Sequence, residues 1–264
     1  MMIVALVGSL IAGLWDLKTT EIPDEIPTLM AAIGIFFWFV FALTYGSFSA
    51  LFMSFLTGTI FLVFGWVLYR AGQWGGGDAK LMSAIGFLVP FMPGAFLFSF
   101  SFFSNVFLVG AAYVILYSIV LGIMNPSTVF TGFSRDLAVT WRKVLIAPVL
   151  ITAFFLSLML YFNAVDFAML SGLFLAMLLI MAFWRYAKVI EKRVFIREVP
   201  ASSLMVGDVL MESKTWDGLT EDELEKLKKT KGKYTIKEGV RFGPVFFLAL
   251  VATMVSGNLI LLFV

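Results

Sequence analysis

The chain has 264 residues and contains no cysteine and no histidine. Without cysteine there can be no disulfide, no thiolate nucleophile and no Cys-ligated zinc. Without histidine, Ser-His and Cys-His catalysis and His-ligated metal sites are excluded as well. Charge is also scarce, at 14% of residues, where a soluble domain carries about 25%. The groups left for chemistry are carboxylates, lysines and hydroxyls, and none of them calls for a metal or a cofactor.

What the chain has in abundance is apolar surface: 61% hydrophobic residues and 30 phenylalanines, with a mean hydropathy of +0.99. Apolar segments long enough, or nearly so, to cross a bilayer run over 1–15, 28–45, 48–69, 95–124, 144–162, 167–184 and 245–264. A helix needs about 20 apolar residues for that crossing. One shorter run, 81–90, reaches only about half-way at about 1.5 Å per residue. The first segment lacks a charged start and a small-x-small cleavage site and is followed by more apolar spans, so it reads as a membrane helix and not as a signal peptide.

The basic residues decide the parity, because Lys and Arg accumulate on the cytoplasmic side. If 81–90 crosses, there are eight crossings with the N-terminus outside, and all 19 Lys and Arg fall in the inner regions 16–27, 70–80, 125–143 and 185–243. The outer turns 46–47, 91–94 and 163–166 then contain none. If it does not cross, Arg135, Arg142 and Lys143 lie outside. The reading is therefore an all-α polytopic membrane protein with about eight transmembrane helices. Its expected parts are a membrane domain over 1–184, a cytoplasmic insert over 185–242 and a last helix over 243–264.

The insert reads as a small α+β unit. Val194–Val199 and Val206–Leu210 alternate as short strands around a turn. Thr220-Glu221-Asp222-Glu223 is a capping box opening an amphipathic helix to about Lys229, and Tyr234–Lys237 reads as a further strand. So small a unit does not fold robustly alone and is expected to rest on the membrane domain.

Two acids stand out, Asp16 at the end of the first span and Asp78 closing Gly75-Gly76-Gly77-Asp78. The topology puts both shallowly on the inner side, where a carboxylate is expensive unless it pairs or does chemistry. Alone, Asp16 is an ordinary helix end and Asp78 an ordinary N-cap. Together, in a chain without other nucleophiles, they suggest an acid/base pair sharing one proton. The glycines would let an extended peptide approach the acid closely. Gly58 and Gly65 read as close-packing positions in the third span.

The neighbouring residues carry a resemblance. Asp16-Leu17-Lys18-Thr19-Thr20-Glu21-Ile22-Pro23-Asp24 resembles the first active-site motif of the prepilin peptidases, and Gly75-Gly76-Gly77-Asp78-Ala79-Lys80-Leu81 resembles their second. Gly239-Val240-Arg241-Phe242-Gly243-Pro244 is similar to the Phe-Gly-Pro entry to their last helix. The first loop is short and lacks the four cysteines common in bacterial members, so the pattern resembles the archaeal preflagellin or class III prepilin peptidases, which do not methylate. Presenilin-type proteases are more distant, since Trp15 precedes Asp16 where they carry Tyr.

The resemblance implies that Asp16 and Asp78 are a catalytic dyad. Two carboxylates held close cannot both ionise, so one retains a proton while its partner activates water against the peptide carbonyl. The expected protein is thus a membrane aspartic endopeptidase with its site facing the cytoplasm. It would remove short basic leaders from archaellin or pilin-like precursors. Its partners would be those precursors and the bilayer, with no role for nucleic acid. Gly75, Gly76, Gly77, Glu21, Asp24 and Glu25 are weaker candidates for contact with the leader. The rival reading is an ion- or proton-coupled transporter with Asp16 and Asp78 as ligands, which would set broken helices near the midplane.

Overall fold

The computed structural model describes residues 1–91, 96–213, 216, 218–230 and 232–262. In chain order its helices are α1 (Met2–Thr19), α2 (Glu25–Tyr45), α3 (Ser49–Arg70), α4 (Gly76–Leu88), α5 (Phe96–Met124), α6 (Pro126–Tyr161), α7 (Phe167–Ile190), α8 (Glu221–Lys228) and α9 (Pro244–Ser256). Three short strands, β1 (Ile196–Pro200), β2 (Val209–Leu210) and β3 (Lys233–Lys237), complete the regular structure. The chain divides into two compact units, Met1–Leu116 with Glu198–Val264, and Tyr117–Arg197.

Among the described residues six helices are long and apolar enough to cross a membrane: α1, α2, α3, α5, α6 and α7, the last extended by the π-helical turn Glu191–Phe195. The polytopic helical class is therefore met, while the expected eight crossings include two helices, α4 and α9, of only 13 residues each. At about 1.5 Å per residue these measure about 20 Å, against a hydrocarbon core of roughly 30 Å. The helix expected over 245–264 stops at Ser256, where Gly257 takes φ +68°. Residues 263–264, and most of the expected turn 91–94, lie outside the described residues.

A short helix in a bilayer leaves backbone groups that lipid cannot satisfy, and the first unit supplies partners from side chains. Beyond α4, Ser54 Oγ donates to Phe87 O at 2.7 Å and Trp38 Nε1 to Leu88 O at 3.4 Å. Ser99 Oγ donates to Val89 O at 2.9 Å, and Phe91 N–H donates to Thr57 Oγ1 at 2.9 Å. At the end of α9 the fully buried Asn105 does the same work alone. Its amide donates to Gly257 O (2.7 Å) and Thr253 Oγ1 (2.9 Å), and its Oδ1 accepts Leu259 N–H (3.0 Å).

Small residues let these helices come together. A Cβ on Gly65 of α3 would lie 2.7 Å from Ala79 Cα, and one on Gly34 of α2 would lie 2.9 Å from the Phe87 carbonyl. A Cβ on Gly58 would come within 2.6 Å of the Phe87 ring. The close-packing role expected of Gly58 and Gly65 is what they have.

The hydrophilic end of this unit forms a three-stranded sheet in the order β1-β3-β2, with Val209 opposite Lys237 and Leu210 opposite Ile236 in an antiparallel pair. The two strands expected to flank one turn are thus separated by β3. Their sequences specify strands but not which edge of the sheet each takes. The capping box forms as read, with Thr220 N–H on Glu223 Oε2 at 3.0 Å. Leu204, Leu219, Leu224 and Ile236 make a small core of their own.

The second unit contains α6 and α7. Residues 125–143, expected as an inner loop, are instead mostly the first half of the 36-residue α6. No interior Gly-Pro pair breaks that stretch, and extending an existing helix costs less than starting a new one. Its polar residues are accommodated by pairing: both nitrogens of the Arg185 fork on α7 donate to the Asp136 carboxylate. Tyr186 Oη donates to Ser118 O at 2.9 Å.

Asn105→Leu removes the partner of the Gly257 carbonyl and the Leu259 amide at the partly exposed end of α9. This should lower stability by about 2–4 kcal/mol, read as loss of thermal midpoint in detergent micelles.

Candidate active site

α1 carries Asp16 through to its last turn because the helix runs on to Thr19 and closes with Thr20 in the left-handed region, φ +66°. The carboxylate points inward and is only 6% exposed. Its Oδ2 accepts the Gly243 N–H at 2.8 Å, at the start of α9. This approach depends on two absent side chains. A Cβ on Gly243 would stand 2.9 Å from Asp16 Cβ, and one on Gly13 would stand 2.9 Å from Pro244 Cα. The guanidinium of Arg241 lies within electrostatic reach of Asp16 and donates to the Leu17 carbonyl.

Asp78 belongs to α4, the most enclosed helix of the molecule, and is 9% exposed. It is not the N-cap. Gly75 holds that position, and Asp78, three residues on, accepts Gly75 N–H through Oδ2 at 3.1 Å. The carboxylate thus satisfies one orphan donor of the helix start and complements its positive end.

Gly76 and Gly77 already belong to α4, and Gly75 sits at φ −74°, a conformation open to any residue. The left-handed glycine of this connection is Gly72, at φ +69°. What Gly77 provides is room, since a Cβ there would lie 2.8 Å from Ile22 Cβ. The Ile22 segment following Asp16 is thereby pressed against the segment bearing Asp78.

The two acids come from helices separated in the chain by α2 and α3, and the Gly77–Ile22 approach sets the segments that bear them side by side. A residue not singled out in the sequence helps to bring them together. Trp74, 8% exposed, immediately precedes the triplet and packs on Phe242 at 5.6 Å and Phe246 at 5.7 Å between centroids. The loop entering α4 is thus anchored on the same stretch of α9 that binds Asp16. Its only signal in the sequence was an aromatic placed directly before three glycines.

The weaker candidates divide. Asp24 pairs with Lys80 at 2.6 Å, both half-exposed or more. Glu21 lies against Gly207 and Gly218 of the hydrophilic segment. Glu25 is exposed in the first turn of α2. Asp166 caps α7 by accepting the N–H of Ala168 at 2.9 Å.

The arrangement defines a class: a helical membrane protein with two buried acids, one at the end of a long helix and one at the start of a short one. The type IV leader peptidase family matches residues 3–126, and the resemblance carried by the two aspartate motifs holds at the level of that family. The chain is 32% identical over 88 residues to a preflagellin peptidase of Methanococcus maripaludis, covering 33% of this chain and 38% of that protein. It is 32% identical over 111 residues to prepilin peptidase EppA of Methanothermobacter thermautotrophicus, covering 42% and 28%. A preflagellin peptidase of Methanococcus voltae matches at 32% over 87 residues, covering 33% and 37%. The matched stretches are thus well under half the length of these relatives. No solved structure matches the chain.

Two substitutions should separate packing from surface charge around Asp78. Gly65→Val forces a branched side chain onto Ala79 and should cost about 1–3 kcal/mol. Lys80→Ala, which removes an exposed ion pair, should cost less than about 1 kcal/mol. Thermal unfolding of both variants in the same detergent checks the order.

Proposed function

We propose that this protein is a membrane aspartic endopeptidase that removes short basic leader peptides from preflagellin or type IV pilin-like precursors. The single observation that carries the reading is that Asp16 and Asp78, both buried and from helices far apart in the chain, lie on segments pressed together: a Cβ on Gly77, beside Asp78, would stand 2.8 Å from Ile22 Cβ in the loop that follows Asp16. In a protein without histidine or cysteine, two such acids are the available means of activating water.

In this mechanism the dyad holds one proton between its members. The ionised carboxylate takes a proton from water as the oxygen attacks the scissile carbonyl, while the protonated one donates to the developing oxyanion. The proton accepted from water then goes to the leaving amine. The Gly243 N–H bond to Asp16 and the Gly75 N–H bond to Asp78 each occupy one carboxylate oxygen. That leaves the other oxygen of each acid for water and substrate.

The topology consistent with this chemistry has eight crossings, an outside N-terminus and the dyad at the cytoplasmic boundary. The precursor's apolar helix lies in the bilayer and its basic leader meets the loop bearing Glu21, Asp24 and Glu25, where Asp24 would exchange Lys80 for a leader cation. The transporter reading gains nothing from the geometry, since both acids already bond to backbone amides at helix ends.

Asp16→Asn and Asp78→Asn retain the shape and an oxygen for the Gly243 and Gly75 amides, so both variants should insert and fold normally. Each should lower precursor cleavage by roughly a thousandfold or more, scored as loss of the size shift when co-expressed with archaellin or pilin precursors. Retained cleavage in either variant removes the peptidase reading.

A further inference from the structure

The hydrophilic segment that runs from β1 to α9 has contacts that single out the two acid-bearing stretches. Trp216 Nε1 donates to the Gly72 carbonyl at 2.8 Å, in the loop that leads into α4 and Asp78. Arg241 donates to the Leu17 carbonyl, the residue after Asp16. Glu21, on the loop after α1, lies where a Cβ on Gly207 would come within 3.1 Å of its Oε1. Gly207 itself takes φ +90°, a conformation that keeps side chains out.

Trp216 is itself held from the sheet side. Lys237 of β3 stacks its ammonium over the indole at 4.8 Å while donating to Ser213 O at 2.6 Å. Gly239 allows the chain to pass the ring, since a Cβ there would meet it at 3.3 Å. One side of this rigid group is therefore tied to the entry of α4 and the other, through Arg241 and Gly243, to the end of α1.

We propose that the segment is a brace that sets the spacing of Asp16 and Asp78, with Trp216 and Arg241 as positioning residues; this deepens the peptidase reading and rests on it. The physical need is clear. The acids sit on separate helices whose small-residue contacts permit sliding, and a displacement of about 1 Å in a catalytic pair costs on the order of a hundredfold in rate. Direct hydrogen bonds to the Gly72 carbonyl, in the loop before α4, and to the Leu17 carbonyl, in the last turn of α1, restrain that sliding. The brace touches neither water nor the scissile bond, so it acts on turnover through the dyad and not on substrate affinity.

The test uses the full chain in detergent micelles, with Trp216→Phe, which keeps the ring and removes the donor, and Arg241→Gln, alone and combined. Each single variant should lower kcat about tenfold with KM within about twofold. The pH range that sustains activity should narrow, because acids held less closely share a proton over a smaller range. Arg241→Lys, which keeps a charged donor, should recover part of the loss. Independently of any activity, hydrogen exchange of the 70–78 stretch should quicken in Trp216→Phe. Unchanged exchange there, or a raised KM with kcat intact, overturns the brace, the latter by making the segment a recruitment surface. Faster exchange in Trp216→Phe alongside retained cleavage in Asp16→Asn would keep the brace and remove the peptidase reading instead.

Discussion

In hydrocarbon a backbone amide or carbonyl without a partner costs several kcal/mol, and this molecule contains two apolar helices, α4 and α9, of only 13 residues each. Everything around α4 and α9 follows from that constraint. Their ends are received by hydroxyl, indole and amide side chains from α2, α3 and α5, and glycines bring those donors close enough. Only a short helix enclosed in protein can present its first turn, with its positive end, to a buried acid. α4 does this for Asp78 and α9, through Gly243, does it for Asp16.

The burial of two acids is thus part of the same design as the burial of two helix starts. A carboxylate in such a place loses its hydration, and a backbone N–H returns a fraction of it. Trp74 then joins the two helix starts, since its ring bridges the entry of α4 and the first turn of α9. The long exposed faces of α1, α2 and α3 fit a lipid environment, while Asp16 and Asp78 lie on the buried sides of α1 and α4.

The hydrophilic segment belongs to this account as well. In sequence it reads as an appendage too small to be stable alone, and its own buried residues are few. Its bonds to Gly72 and to the end of α1 give it the support it lacks, and they give those loops a rigid reference outside the bundle. The same contacts serve stability in one direction and acid geometry in the other.

The amino-acid order by itself determined the helical membrane class, the two acids, the close-packing glycines and the Thr220 capping box. Each of these rests on short-range rules: hydrophobic length, scarcity of alternatives, spacing within a turn. It did not show that α6 absorbs 125–143, because a charged stretch reads as a loop until a partner such as Arg185 of α7 neutralises Asp136. Nor did it show that Gly76 and Gly77 are helical, that β3 lies between β1 and β2, or that Trp74 and Trp216 hold the loop before Asp78. Those outcomes depend on contacts between residues remote in the chain. Only folding brings Gly243 to Asp16 and Ile22 to Gly77, and a one-dimensional pattern carries no information about which distant surface will exclude water from a given side chain.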